Sequence, residues 1–186
     1  MVRNYIKLIK GICELNKLNI KCYEYFPLQT NKPIQTKLLE VSISKIIEKN
    51  DLYRETILEI RNKDNPEKIH IVRHFFIHSW VDMSVISKSK RILLMKLINF
   101  MTNTLNKFPK CPVVVHCSAG IGRTGTLIAL YHLYQDYLNA KKENQNFKFS
   151  VYDTVIRLRH MRRFMVQTDS QYEFIFDFML NFDKLT

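Results

Sequence analysis

Glycine is scarce in this sequence, and its few occurrences are concentrated in one place. Four glycines occur among 186 residues, and three of them are Gly120, Gly122 and Gly125. Long apolar runs are missing as well: no stretch approaches about 18 uncharged apolar residues, so we expect no membrane-spanning helix. Residues 1–7 mix charged and apolar side chains without an apolar core of signal length, so we also expect no signal peptide.

Cysteine is also rare, and its spacing does not fit a zinc site. The four cysteines are Cys13, Cys22, Cys111 and Cys117. No two of them form a Cys-x-x-Cys pair. His74 and His78 stand at positions i and i+4, but they fall in a strand-like stretch and no third ligand is spaced to join them. The sequence therefore predicts no metal site.

Acidic residues are outnumbered: 29 Lys and Arg against 17 Asp and Glu contribute to a formal net charge of +12. A basic surface attracts anions such as phosphoproteins, acidic membranes and nucleic acids. Aromatic residues are not interleaved with the basic ones in a base-stacking pattern, so the composition does not favour a nucleic-acid partner. A hydrophobic content of 46% over 186 residues instead predicts a single globular domain spanning residues 1–186.

Apolar patterning divides the chain into a strand-rich first part and a helical later part. Strands are predicted over Leu38 to Ile47, Tyr53 to Ile60 and Ile69 to Ile77, with a turn at Asn62 to Pro66. From about Lys90 the apolar period becomes helical, and we expect four helices with a polar connection over Asn139 to Lys148. This pattern predicts an α/β fold with a mixed twisted sheet flanked by helices.

The glycine-rich stretch joins a short strand to a helix. Val113 to Val115 form a β-branched run that suits a central strand buried on both faces. A loop between such a strand and a helix N-terminus points successive backbone N–H groups at one place, where they bind a phosphate dianion. Five residues separate Cys117 from Arg123, whose planar guanidinium would grip two phosphate oxygens.

Cys117 lies where the same positive field acts on its sulfur. A free thiol with a pKa near about 8.5 is mostly protonated at neutral pH, and a helix N-terminus lowers that pKa by several units. The loop would therefore also generate the thiolate that attacks phosphorus. We expect Thr124 to donate a hydrogen bond to the sulfur and His116 to hydrogen-bond loop carbonyls.

Two other interpretations of this loop fit it less well. A buried structural cysteine is common, but it does not account for the coincidence of strand, glycines and Arg123. A nucleotide-binding P-loop needs Gly-Lys followed by Ser or Thr, which this loop lacks. The residues alone therefore favour an enzyme that acts on phosphate esters with Cys117 as its nucleophile.

The decapeptide from His116 to Gly125, His-Cys-Ser-Ala-Gly-Ile-Gly-Arg-Thr-Gly, resembles the active-site loop of the classical protein-tyrosine phosphatases. The resemblance implies the α/β fold of that family and hydrolysis of protein phosphotyrosine through a cysteinyl-phosphate, without metal or organic cofactor. The loop residues implied to bind the phosphate after the nucleophile are Ser118, Ala119, Gly120, Ile121 and Gly122. The implied partner is a phosphotyrosine-containing protein. A thiol nucleophile indicates the cytoplasm or the nucleus, and the oligomeric state is left open.

Two further segments are similar to motifs of the same family. Leu158 to Thr168, followed by Gln171, resembles the glutamine loop. This implies that Gln167 positions the hydrolytic water and that Gln171 is the family's second glutamine. Trp80 to Ile86 resembles the mobile acid loop, with Asp82 as general acid and base and Trp80 as the hinge aromatic.

The acid loop departs from the family pattern at three positions. Val81 and Ile86 stand where the family has proline, and Ser84 stands where it has glycine. Losing two prolines and a glycine alters the stiffness of the loop and the backbone angles open to it. The delivery of Asp82 therefore depends on contacts that the sequence does not reveal.

The resemblance runs along most of the chain but corresponds only to the carboxyl part of the family domain. The family's amino-terminal helices and phosphotyrosine loop have no counterpart, so we expect a partial domain. With the altered acid loop, this keeps an alternative open: a catalytically impaired phosphotyrosine-binding module or decoy. The short length and the Lys-, Ile- and Asn-rich composition are similar to virus-borne members of the family from parasitoid-wasp viruses.

Overall fold

The computed structural model describes residues 5–9 and 24–185, the first range as backbone alone. By their contacts the residues divide into two compact units. Met1–Ser79 and Pro109–Ser118 form the first, which we call the sheet unit, and Trp80–Phe108 and Ala119–Thr186 form the second, the helical unit. Cys13 and Cys22 lie outside the described residues.

The described residues of the sheet unit form a six-stranded sheet with the order β2-β3-β4-β5-β1-β6. Its strands are β1 (Tyr5–Ile9), β2 (Ile34–Gln35), β3 (Leu39–Lys49), β4 (Tyr53–Asn62), β5 (Asn65–Ile77) and β6 (Val113–His116). Strands β2 to β5 pair antiparallel, whereas β1 pairs parallel with both β5 and β6. The predictions of a mixed sheet and of its three long strands are confirmed.

The β4–β5 hairpin is tighter than the sequence indicated. Asn62 ends β4 and Asn65 and Pro66 already belong to β5, so only Lys63 and Asp64 form the turn. The Asn62 side chain accepts a hydrogen bond from the Asp64 backbone N–H at 2.9 Å, as Asn commonly does in turns. The hairpin fixes the register of β5, which carries the chain towards Trp80.

The strand before the glycine-rich loop differs from expectation. Among the described strands β6 stands at the end of the order, and Val114 is 42% exposed. The prediction of a central strand buried on both faces is therefore wrong. A β-branched run fits any pleated surface, so it does not distinguish a central strand from an edge strand.

The sheet unit has an apolar core that covers one face of the antiparallel strands. Phe26, Ile43, Leu58 and Val72 are buried there. His74 is buried against the Phe26 ring, at 4.4 Å between ring centroids, while Nε2 of His78 lies 3.0 Å from the Asn50 carbonyl oxygen. Within residues 24–185 no three His, Cys, Asp or Glu side chains are grouped so as to hold a metal ion.

The helical unit consists of four α-helices that share one apolar core. They are α1 (Arg91–Lys107), α2 (Gly122–Lys142), α3 (Val151–Met161) and α4 (Asp169–Asn181). Helix α2 contacts each of the other three, and its Leu127, Leu130 and Leu133 are buried. No helix in the described part of the chain has the length and apolar character needed to cross a bilayer.

The four helices confirm the predicted helical part, with one boundary to correct. Asn139 to Lys142 were expected in a polar connection, but they form the last turn of α2. The polar residues of that turn face solvent on one side while Leu138 and Ala140 are partly buried, so polarity alone did not mark the helix end.

Candidate active site

The glycine-rich loop begins in the sheet unit, directly after β6. Cys117 is 6% exposed. His116 Nδ1 lies 2.9 Å from the Cys117 carbonyl oxygen, which only accepts, so Nδ1 carries the proton. In the neutral ring Nε2 then accepts from the Tyr25 hydroxyl at 2.6 Å. These two contacts fix the imidazole and hold the backbone at Cys117, and they include the hydrogen bond to a loop carbonyl expected of His116.

The loop continues in the helical unit as Ala119 to Thr124. Gly120 has φ +73°, a left-handed conformation that glycine adopts without steric cost. A Cβ at Gly120 would lie 3.3 Å from Arg162 Nη2, and this same nitrogen donates to the Ala119 carbonyl at 3.0 Å. The turn that directs the loop into α2 is thus held by Arg162, a residue that the sequence did not single out.

Helix α2 begins at Gly122 with Ile121 at its N-cap, and no side chain of the described residues caps it. The first hydrogen bond of the helix runs from the Gly125 N–H to the Ile121 carbonyl at 3.0 Å. The N–H groups of the first turn before it have no partner within the helix. Gly122, Arg123 and Thr124 therefore present donors, at the positive end of the helix dipole, to an anion.

Arg123 is buried at the start of α2, with 1% of its side chain exposed. Its Nη1 donates to the Trp80 carbonyl at 2.8 Å, and its Nη2 lies 2.9 Å from Asp82 Oδ1 as an ion pair without hydrogen-bond geometry. Its Nε has no hydrogen-bond partner among the described residues. Leaving a buried charged donor unsatisfied is costly, so the site is suited to an anion that accepts from it.

The acid loop from Trp80 to Ile86 forms a compact turn around a buried indole. Trp80 Nε1 donates to the Ser84 carbonyl at 2.8 Å, and the Ser84 hydroxyl donates to the Val81 carbonyl at 2.8 Å. Met83 has φ +59°. Ser84, which stands in place of the family's glycine, therefore closes the turn by its hydroxyl, and the loop keeps Asp82 at Arg123 without the family's prolines.

Gln167 and Gln171 lie beside the start of α2. A Cβ at Gly122 would be 3.0 Å from Gln167 Oε1 and 3.2 Å from Gln171 Nε2. Gln171 is buried and caps α4: its N–H donates to Thr168 Oγ1 at 3.2 Å, and its Oε1 accepts from the Gln167 N–H at 3.0 Å. The Gln171 side chain thus holds the backbone of Gln167 beside the loop.

Sequence reasoning missed Arg159, which holds the segment before Gln167. Its Nε donates to the Met165 carbonyl and its Nη2 to the Val166 carbonyl, both at 3.0 Å. A basic residue in the last turn of a helix is well placed to bond the carbonyls that follow it. The position of Arg159 near the end of a predicted helix could therefore have indicated this role.

The helical unit brings together most of the residues identified from the sequence. Its members are Trp80, Asp82, Ala119, Gly120, Ile121, Gly122, Arg123, Thr124, Gln167 and Gln171. The sheet unit contains the other three, His116, Cys117 and Ser118. The Thr124 hydroxyl is buried and has no hydrogen-bond partner among the described residues, so its expected bond to the sulfur stays a prediction.

Comparison with known proteins shows the family of the chain. The family model for protein-tyrosine phosphatase matches residues 1–181. The chain belongs to the protein-tyrosine phosphatase family. Mouse tyrosine-protein phosphatase non-receptor type 9 is 34% identical over 172 residues, which cover 87% of this chain and 28% of that protein. Yeast (Saccharomyces cerevisiae) tyrosine-protein phosphatase 1 is 29% identical over 206 residues, covering 92% of this chain and 58% of that protein.

Solved structures of the phosphatase family share the fold. A structure of PTPN18 in complex with HER2-pY1196 phosphopeptides superposes with a TM-score of 0.76 and 25% identity, over 97% of this chain and 58% of that chain. This chain spans less than a third of the length of the type 9 relatives and under two thirds of the PTPN18 chain. The predicted phosphatase fold is confirmed.

Proposed function

We propose that this chain hydrolyses protein phosphotyrosine through a cysteinyl-phosphate intermediate. The observation that carries the proposal is the buried Arg123 at the start of α2. Among the described residues no side chain caps that helix and none pairs with Arg123 Nε, and the same loop contains Cys117. The family to which the chain belongs supports the choice of phosphotyrosine. A solved structure of PTPN18 is a complex with HER2-pY1196 phosphopeptides, and we infer the same class of partner here.

In the first step the Cys117 thiolate attacks phosphorus and the bond to the tyrosine oxygen breaks. Asp82 gives its proton to the departing phenolate, which would otherwise be a poor leaving group. The loop N–H groups and Arg123 stabilise the charge on the three phosphoryl oxygens. We assign substrate binding to the loop residues Ser118, Ala119, Gly120, Ile121, Gly122 and Thr124.

In the second step water hydrolyses the cysteinyl-phosphate. Gln167 orients the water, Asp82 takes its proton, and the electron pair of the P–S bond returns to Cys117. The contact between Asp82 and Arg123 supports this assignment, because it keeps the acid beside the group that would hold the phosphate. The turn closed by Ser84 provides the support that the family's glycine and prolines give elsewhere.

The acid loop also provides the observation that favours a second function. Met83 follows Asp82 in a left-handed conformation that costs a residue with a side chain about 1–2 kcal/mol. If this strain keeps Asp82 from delivering its proton, the chain is a phosphotyrosine-binding module or decoy that holds its ligand without turning it over.

One experiment separates the two functions: phosphate release from a phosphotyrosine peptide by the wild type and by Cys117→Ser. We expect turnover by the wild type only. Equal background rates with retained peptide binding in both proteins would establish the binding module. A small aryl phosphate with a good leaving group extends the test, since activity on it alone would locate the defect at Asp82. We expect EDTA to leave the rate unchanged, because the thiolate supplies the nucleophile.

The surroundings of the enzyme follow from the same chemistry. A thiolate nucleophile requires reducing conditions, so we infer the cytoplasm or the nucleus as its compartment. We expect measurement of Cys117 oxidation in cell fractions to find the thiol reduced, and a persistently oxidised thiol would argue against the cytoplasm or the nucleus.

The composition of the chain resembles that of virus-borne members of the family, and we propose a viral origin on that ground.

A further inference from the structure

The segment between α3 and α4 reaches the start of α2 in a strained conformation. Val166 has φ +60° and is 1% exposed. A β-branched residue in this region is a genuine outlier, because the left-handed conformation is sterically unfavourable for it. The Val166 N–H donates to the Ile121 carbonyl at 3.1 Å, so the strained residue is tied to the phosphate loop. Gln167 follows it, with its Oε1 near Gly122.

Arg159 donates two hydrogen bonds to this segment. Its guanidinium meets two consecutive carbonyls, those of Met165 and Val166, each at 3.0 Å. The planar fork meets both oxygens in the conformation in which Val166 is left-handed. Hydrogen bonds from a charged donor are about twice as strong as neutral ones, and two of them can offset the cost of the strain.

We propose that Arg159 is a positioning residue for the second step of the reaction. It keeps Val166 left-handed and thereby directs Gln167 to the water that hydrolyses the cysteinyl-phosphate. In that step the water oxygen bonds to phosphorus, the P–S electron pair returns to Cys117 and the water proton passes to Asp82. The inference rests on the proposed function. The proposal predicts that loss of Arg159 slows only the second step, because phosphoryl transfer to Cys117 in the first step does not use Gln167.

The test is rapid-mixing kinetics of Arg159→Met with a small aryl phosphate. We expect a burst of about one phenolate per enzyme, followed by steady-state turnover about tenfold to a hundredfold slower than in the wild type. Arg159→Lys should be intermediate, because one ammonium cannot span both carbonyls. Arg157→Met is the matched control: Arg157 is exposed on the same helix and lies 3.8 Å from Asp136, and its loss should leave both phases unchanged.

A rescue distinguishes positioning from general support of the fold. Glycine adopts a positive φ without cost, so Val166→Gly should restore most of the steady-state rate in the Arg159→Met background. A burst and a steady rate that fall together in Arg159→Met, or a slow second step that Val166→Gly leaves slow, would overturn the proposal.

A measurement without turnover distinguishes a failure of this inference from a failure of the proposed function. If the wild type proves no more active than Cys117→Ser, amide hydrogen exchange still reports the geometry. Exchange of the Val166 amide should be faster in Arg159→Met and unchanged in Arg157→Met. Equal exchange in wild type and Arg159→Met would show that Arg159 does not hold the segment.

Discussion

Arg123 directs two of its three nitrogens to other residues and leaves the third for the proposed anion site. Nη1 and Nη2 face the Trp80 carbonyl and the Asp82 carboxylate, and Nε has no hydrogen-bond partner among the described residues. A buried guanidinium thus connects the acid loop to the start of α2. The proposed phosphate site and the position of Asp82, the proposed general acid, therefore depend on the same side chain.

Arg123→Lys should therefore lose more than a conservative change usually does. Lysine has one compact ammonium, so it cannot bond the Trp80 carbonyl and Asp82 while holding two phosphate oxygens. We expect kcat/KM on a phosphotyrosine peptide to fall at least about a hundredfold. Steady-state assays measure this, with the thermal midpoint as the control for folding. A tenfold loss or less would mean that charge alone is sufficient at this position.

At the scale of single residues, the sequence identifies functional residues when their chemistry needs one particular side chain. Cys117, Arg123 and Asp82 are such residues, and their motifs could be recognised from their letters and spacing. Arg159 and Val166 could not, because their contribution lies in backbone carbonyls and a left-handed angle. A buried β-branched residue has the same letter whether its φ is negative or positive.

At the scale of elements, Gly125 marks where α2 meets the segment before Gln167. A Cβ there would lie 2.4 Å from the Val166 backbone nitrogen and 3.1 Å from the Met165 carbonyl carbon. The obstructing atoms are backbone, so no side-chain rotation relieves the contact. The helix can begin at Gly122 and still approach this segment only because residue 125 has no side chain.

Gly125→Ala should destabilise the protein although alanine is the better helix former. The clash should cost at least about 2 kcal/mol, against a gain in helix propensity of about 1 kcal/mol. Urea denaturation of the wild type and the variant measures the difference. An unchanged or higher midpoint would show that the segment moves aside freely.

The Arg91–Asp177 pair links α1 to α4, with Arg91 Nη1 donating to Asp177 Oδ2 at 2.6 Å. This hydrogen bond lowers the pKa of Asp177 below its usual value. The folded pKa lies below the unfolded one, so the stabilisation is complete above about pH 4 and is lost as the pH falls through the folded value. The Asp177 side chain is 49% exposed, so solvent screening keeps the contribution below about 1 kcal/mol.

Asp177→Asn should accordingly lower the free energy of unfolding at neutral pH by less than about 1 kcal/mol. The difference from the wild type should shrink below about pH 4. Denaturation at several pH values measures it. Glu173→Gln, an exposed change on the same helix, is the control. A difference that persists unchanged at low pH would show that the carboxylate charge is not involved.

Periodicity predicts the elements well and their ends and neighbours poorly. The long strands and all four helices could be read from apolar spacing, because burial of one face imposes that spacing. Apolar spacing did not predict the position of β6 in the sheet or the last turn of α2. Pairing order depends on residues far away in the chain, and an exposed final turn has the same polarity as a loop.

On the scale of the whole molecule, the net charge of +12 should affect substrate capture. A cationic protein attracts anionic peptides, and salt screens that attraction beyond about 8 Å at physiological ionic strength. We expect kcat/KM for a phosphotyrosine peptide with acidic flanks to fall roughly three- to tenfold between about 0.05 and about 0.5 M salt. A peptide with neutral flanks should lose less, and equal losses would confine the electrostatic effect to the phosphate.

Trp80 is the one tryptophan in the 186 residues, and it lies in the acid loop. Its indole is fully buried, its N–H is bonded to the Ser84 carbonyl, and its ring meets Phe174 edge-on at 6.3 Å. The carbonyl of the same residue accepts from Arg123. Under excitation that its nine tyrosines do not absorb, the fluorescence of this protein therefore comes from the acid loop, with no background from other indoles. The wavelength of its emission maximum can report a movement of the acid loop during an anion titration. The measurement needs no label and no mutation.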